Sequence, residues 1–270
     1  MNLLRIALIS FSPTYGETNT NLAKITRLVQ EASTNGACLV CFPEMALTGY
    51  SSKVDILSQA LCMESLPIQH LRRLASTHEI AIVAGMPEYA AERQAFFVSQ
   101  FCCLPDDKVF VYQKTHLSKH EMETFQPGDK LGVFPFGETV VGLQLCYDAH
   151  FPELSLAQAC CGARIILVCS ASPMGSSLEL RQRWLRYLPA RAYDNGCYIL
   201  TCNQHGLAPF GIRFSGLTMG FNPRGELIGE TQATDQPLYL EIDLDQTARR
   251  PFLDRRRPEL YRCAQRQEFK

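Results

Sequence analysis

Apolar runs of strand length recur along this chain, and most of them break within one or two residues into a turn or an amphipathic helix. Leu3 to Phe11, Ala37 to Phe42 and Ile80 to Met86 are mostly continuous rather than alternating, the pattern of strands covered on both faces. Between them, Asn19 to Thr34 sets Leu22, Ile25, Leu28 and Val29 at helical spacing and closes on Asn35-Gly36. A further helix opens at Pro67 with Leu71, Leu74 and Ala75 on one face. The centre of the chain reads differently. Ala95 to Leu104 and Val109 to Gln113 flank the turn Pro105-Asp106-Asp107-Lys108, and Val133 to Phe136 and Thr139 to Cys146 flank Gly137-Glu138. A helix from Pro152 to Cys161 and a strand from Arg164 to Ser170 follow. Next come a helix from Leu178 to about Asn195, bent at Pro189, and a strand from Cys197 to Cys202. Leu217 to Phe221 and Leu227 to Glu230 flank Asn222-Pro223-Arg224-Gly225, and Tyr239 to Leu244 is the last strand. Alternation at both ends with hairpins between predicts a mixed, layered α/β fold.

No low-complexity linker or short-period repeat divides the chain, so residues 1–270 are expected to form one domain, with an arginine-rich C-terminal extension from about 245. A formal net charge of −1 leaves no basic footprint for nucleic acid or an anionic membrane. The N-terminus lacks a signal-peptide pattern, and no apolar run approaches the ~20 residues that span a bilayer. A cytoplasmic protein is expected. The twelve cysteines fit that compartment as thiols, most of them inside apolar runs, and Cys38-Leu39-Val40-Cys41 reads as buried strand. The histidines are scattered without ligand spacing, so neither a metal nor a cofactor is expected.

Three of the apolar runs end in a reactive group: Glu44, Lys114 and Cys146. The last sits where strand Val141 to Leu145 turns toward the helix that Pro152 opens, at the carboxyl end of a sheet. A carboxylate, an ammonium and a thiol at one sheet edge make an acyl-transfer apparatus. The thiol attacks, the carboxylate moves protons and the ammonium receives the developing oxyanion. An unperturbed thiol, with pKa near ~8.5, is mostly protonated at neutral pH; Lys114 is expected to favour its thiolate and Glu44 to accept its proton. Taken singly, each residue has an ordinary structural role: a helix-cap carboxylate, a solvated lysine, a packed cysteine.

Phe42-Pro43-Glu44-Met45-Ala46-Leu47-Thr48-Gly49-Tyr50, Tyr112-Gln113-Lys114-Thr115-His116-Leu117 and Cys146-Tyr147-Asp148-Ala149-His150-Phe151-Pro152-Glu153 closely resemble the three signature segments of the nitrilase, or carbon–nitrogen hydrolase, superfamily, in the family's order. Further similarities are the loop Glu121 to Asp129, Arg191 to Gly196, Cys202-Asn203, and Arg256 to Tyr261. The resemblance implies a four-layer α-β-β-α sandwich, with Glu44 as general base, Lys114 as oxyanion stabiliser and Cys146 as nucleophile. Glu121, favoured over Glu123 by its spacing to Pro127-Gly128, would hold Lys114, and the Tyr147 amide would be a second oxyanion donor. It further implies a homodimer or larger oligomer, with the tail at the interface.

The chemistry so implied is hydrolysis of a small non-peptide amide through a cysteine thioester, with an ω-amide of a dicarboxylate favoured. Rivals within the class are hydrolysis of a carbamoyl amine and of a nitrile. An inactive binding or scaffold protein on the same fold is the reading from another class. Tyr50, His116, Tyr147, Asp148, His150, Ser172 and Trp184 are expected around the substrate. Trp184, on a predicted helix, fits the core equally, and His150, where many relatives carry arginine, fits either contact or packing. Ala208-Pro209-Phe210-Gly211 is expected as a loop at the rim.

Overall fold

The computed structural model describes residues 3–51, 53–173, 175–247 and 251–260. The strands β1 (Leu3–Ile9), β2 (Leu39–Cys41), β3 (Ala81–Ala90), β4 (Ala95–Cys103) and β5 (Val109–Gln113) form most of a first sheet. A second sheet takes β6 (Val133–Phe136), β7 (Thr139–Leu145), β8 (Ala163–Ser170) and β9 (Tyr198–Asn203). After a small hairpin of β10 (His205–Leu207) and β11 (Arg213–Ser215), the second sheet is completed by β12 (Thr218–Phe221) and β13 (Leu227–Thr231). Finally β14 (Pro237–Asp243) returns to the first sheet and pairs antiparallel with β1. The orders are β14-β1-β2-β3-β4-β5 and β13-β12-β9-β8-β7-β6. Each sheet has three parallel strands at its heart, β1–β2–β3 and β7–β8–β9, with antiparallel strands outside them.

The period of two along each strand explains the layering. In β1, Ile6 and Leu8 point between the sheets, while Ala7 and Ile9 point outward onto helices α1 (Thr18–Thr34) and α2 (Leu66–Thr77). Ile25, Leu28 and Val29 of α1 and Ile68 and Leu71 of α2 cover that outer face. In the second sheet, Leu143, Leu145, Ile165 and Leu167 meet the first sheet. Its outer side, with Ile166, Val168 and Ile199, is covered by residues of α4 (Ser177–Trp184) and α5 (Leu188–Asn195), and α3 (Pro152–Cys160) packs beside α5 and β8. The result is the expected helix–sheet–sheet–helix sandwich, and it explains why the parallel strands read as continuous apolar runs: both faces are buried.

One expectation changes and another gains detail. The helix foreseen from Leu178 to Asn195 is two helices, because the Pro189 ring has no room against the carbonyl of residue 185 in a continuous helix; it sits instead in the first turn of α5. Ala208 to Gly211 is the tip of the β10–β11 hairpin, whose three-residue strands are too short to announce themselves. Of the C-terminal extension, Pro251–Asp254 and Pro258–Leu260 are short helical turns, and Phe252 lies against Tyr193 of α5. Ala248, Arg249, Arg250 and residues from Tyr261 onward lie outside the described residues.

Candidate active site

Glu44 leaves the end of β2, and the next residue, Met45, has a left-handed backbone (φ 57°). Such a conformation costs a non-glycine residue on the order of 1–3 kcal/mol and concentrates at functional sites. The turn buries the carboxylate and satisfies both of its oxygens. Oε1 accepts from Lys114 Nζ at 2.9 Å and Oε2 from the Ala171 amide at 2.9 Å, while Gln204 Nε2 donates to the Glu44 carbonyl at 2.6 Å. Lys114 follows β5 with its ammonium equally buried and donates also to Glu121 Oε1 at 2.7 Å. The other Glu121 oxygen accepts from the Ser118 amide at 2.7 Å. The Lys114 carbonyl accepts from Gly128 N at 2.8 Å; any Cβ at Gly128 would collide with the Gln113 carbonyl, which accounts for glycine in Pro127-Gly128-Asp129.

Cys146 terminates β7 in a second left-handed corner (φ 42°), half-buried at the start of a helical turn. Asp148 fixes that corner. Its Oδ2 accepts from the Leu145 amide at 2.9 Å and the Tyr112 hydroxyl at 2.8 Å, and its Oδ1 accepts from the His116 amide at 2.9 Å and the Thr115 hydroxyl at 3.1 Å. One fully buried carboxylate therefore locks the Cys146 turn to the segment that carries Lys114. Asp148 was expected at the substrate; the geometry makes it a brace.

Electrostatics tie the sulfur to the same cluster. Burial pushes the Glu44 carboxyl up to about 7, with Lys114 opposing and Glu121 adding. Burial also works against the Lys114 ammonium, but the two carboxylates outweigh it and hold its pKa well above the ordinary lysine value. For Cys146, burial together with the Glu44 and Glu121 charges raises the thiol to about 12, against Lys114 and Arg183. This corrects the expected thiolate: burial first, and the two carboxylates with it, outweigh the two cations and favour the thiol form of Cys146.

The other site residues divide. Tyr50 feels the charges of Glu121, Glu44, Lys114 and Cys146, and burial first of all lifts its pKa. Ser172 is buried, its amide bonded to Asn203 Oδ1 at 2.8 Å and its carbonyl to Asn203 Nδ2 at 3.1 Å. His116 stacks on Phe151 at 3.8 Å, and Tyr147 lies exposed beside His150 and Phe151. The His150 ring meets Tyr187 at 4.5 Å and Arg183 at 3.4 Å. Burial and the charges of Arg183 and Arg191 lower the His150 pKa, keeping the imidazole neutral at neutral pH. Trp184 is a correction: only 1% exposed, it packs with Ala149, Leu180, Leu188, Ile199 and Met219 in the core between the second sheet and its helices.

Sequence reasoning missed Arg183 and Tyr187, whose charge or ring lies within electrostatic reach of the Cys146 sulfur, and the Ala171 amide and Gln204 that hold Glu44. Arg181-Gln182-Arg183 reads as a solvated helix face, and backbone donors leave no trace in sequence. Among the described residues, the one group whose side chains place several possible metal ligands together is Cys41, Cys169 and Cys202.

Residues 5–252 match the carbon–nitrogen hydrolase family profile, and the chain belongs to that family. It is 28% identical to an (R)-stereoselective amidase of Pseudomonas sp. over 92% of this chain and 89% of that protein. It is 26% identical to the 2-oxoglutaramate amidase of Bacillus subtilis over 95% of this chain and 98% of that protein. A solved amidase from Nesterenkonia sp. superposes with a TM-score of 0.80 at 29% identity, covering 96% of this chain and 95% of that one. In a further amidase structure from Nesterenkonia sp. AN1, acrylamide has added to the active-site cysteine. This chain is a carbon–nitrogen hydrolase that acts on amides.

Proposed function

We propose that Glu44, Lys114 and Cys146 are the catalytic residues and that the substrate is the terminal amide of a small dicarboxylate. The carrying observation is the buried Lys114 ammonium, held between Glu44 and Glu121 in the electrostatic field of the Cys146 sulfur. Glu44, poised near 7, takes the thiol proton as sulfur attacks the amide carbon. Lys114 Nζ and the Tyr147 amide receive the oxyanion. Glu44 returns its proton to the leaving nitrogen, and ammonia departs from a thioester. Glu44 then deprotonates a water, whose attack releases the acid and restores the thiol. Glu121 keeps Lys114 charged and oriented.

Arg183 supports an acidic substrate. Its positive charge reaches the nucleophile, while the inner cluster supplies only one cation for two carboxylates. A dicarboxylate monoamide, the kind of substrate named for the Bacillus relative, presents its free carboxylate to such a guanidinium. Ammonia release with product masses, measured over ω-amides, carbamoyl amines and nitriles, tests the reading. An acidic ω-amide should give one ammonia per acid; carbon dioxide co-release, or turnover of nitriles alone, would overturn it. Intact catalytic residues weigh against an inactive scaffold. We read residues 1–270 as one domain that works in the cytoplasm as a homodimer or larger. The thiol-rich composition and the exposed Tyr193–Phe252 face support this, and light scattering checks the assembly. Among the described residues no helix is long and apolar enough to cross a membrane.

A further inference from the structure

The helical cover of the first sheet stops short of its far corner. Ala84 and Met86 of β3 and Phe101 and Cys103 of β4 pack toward α1 and α2. The period of two carries that outer face on to Glu88 in β3, Ser99 in β4, and Val111 and Gln113 in the edge strand β5. A cavity of about 520 Å³ opens there, with Glu88, Val111 and Gln113 lining it from the sheet.

Glu88 is the unusual residue of this lining. It is only 6% exposed, and Ser99 Oγ at 2.5 Å and Gln113 Nε2 at 3.0 Å both donate to one oxygen, Oε2. The other oxygen, Oε1, has neither a hydrogen-bond nor an ion-pair partner among the described residues, yet it is not sealed within the protein. A carboxylate so deeply placed is costly to bury against neutral donors alone. Arg93, the nearby guanidinium, is engaged elsewhere: it donates to Gln113 Oε1 at 3.2 Å and pairs with Asp129 at 3.3 Å. We propose that this cavity binds a small organic cation carrying a primary ammonium group, with Glu88 Oε1 as its acceptor and counter-ion.

Three observations choose that class. The charged lining sets three carboxylates, Glu64, Glu88 and Glu92, against two cations, Arg93 and Lys130, so a single positive charge balances it. Oε1 accepts hydrogen bonds, so the ligand must donate one, which an ammonium does and a quaternary amine does not. A bare metal ion would need several oxygens converging on it. The volume instead falls in the ~300–1,000 Å³ range of small-molecule sites, and Met63 and Val111 offer apolar surface to a carbon chain.

The cavity is separate from the catalytic cluster. Gln113 faces it, whereas Lys114, the next residue, reaches Glu44 and Glu121. An amine on Glu88 would leave Cys146 open to substrate.

The test is titration of the Cys146→Ala protein with n-butylammonium and with butyltrimethylammonium, followed by ligand-observed nuclear magnetic resonance. The two probes share chain and charge, but only the first has N–H donors. One-site binding of n-butylammonium that saturates in the millimolar range or below is expected, with the trimethyl probe at least about tenfold weaker. Adding Glu88→Gln, which keeps the side chain's shape, should weaken n-butylammonium at least about tenfold. Adding Val111→Arg, at a 40% exposed position, should do the same by placing a cation in the cavity. Adding Glu17→Gln, on the surface elsewhere, should change nothing. Should Glu88→Gln not fold, as judged by near-ultraviolet circular dichroism, Val111→Arg decides. No saturable binding, equal binding of the two probes, or binding that survives the deciding variant would overturn the proposal and leave Glu88 a brace for Ser99 and Gln113.

Discussion

The catalytic cluster and the thiol cluster grow from the same strands, a few residues apart, and both join the two sheets, yet one is ionised and the other neutral. Cys41 and Glu44 are separated by three positions, but Cys41 lies within the strand, sealed by the opposite sheet, and Glu44 lies past its end. Burying the charges takes a complete set of partners: two for Glu44, two for Glu121 and two carboxylates for Lys114. Three thiols need only one another and two backbone carbonyls, since a buried cysteine behaves as a small hydrophobe. Backbone amides become free to serve a carboxylate where strands end. Reactive charge therefore collects there and neutral sulfur below it.

The sharpest way to break that contrast is to remove one cysteine from each cluster. Cys146→Ala should lower kcat/KM by at least ~10⁴-fold with the thermal midpoint nearly unchanged. Cys169→Ala should leave activity within a few-fold and cost about 1–2 kcal/mol of stability. Ammonia release and calorimetry report both, and a Cys146→Ala enzyme with near-normal turnover would end the assignment. Next in size, Lys114→Met should cost ~10²–10³-fold in kcat. It should also destabilise the fold by about 3–5 kcal/mol, because two buried carboxylates lose their cation; denaturant titration measures the second effect. The pH profile follows from Glu44, which must be unprotonated to accept the thiol proton. With its pKa raised to about 7, kcat/KM should rise with pH to a half-maximum near neutrality and fall below it, and Glu44→Gln should abolish turnover across the range. The smallest effect belongs to Arg183→Gln, expected to raise KM for an acidic ω-amide about tenfold, some ~1.4 kcal/mol, and to leave a neutral amide unaffected. Equal losses on both substrates would deny Arg183 its part in selecting charge.

Much of this was legible in the sequence because doubly buried strands are continuously apolar and because the three reactive residues sit in distinctive segments at strand ends. What escaped did so for physical reasons. The break between α4 and α5 depends on a proline acting four residues upstream. Trp184 offers an amphipathic surface that suits core or site until packing decides. The thiol proximity joins positions 41, 169 and 202, whose separations carry no ligand spacing, while the visible Cys38–Cys41 pair splits: Cys38 bonds the Arg5 carbonyl at the strand's start and Cys41 faces inward. The sign of the Cys146 shift required knowing how deeply the sulfur is buried and how many carboxylates stand near it.

The return of β14 to pair with β1 sets a schedule for biosynthesis. Once made, β1 keeps one edge bare until residue 243 emerges from the ribosome, so the nascent chain carries a sticky apolar border while residues 10–243 are synthesised. Chaperone dependence should track that interval, and a circular permutant placing β14 directly ahead of β1 should shorten it.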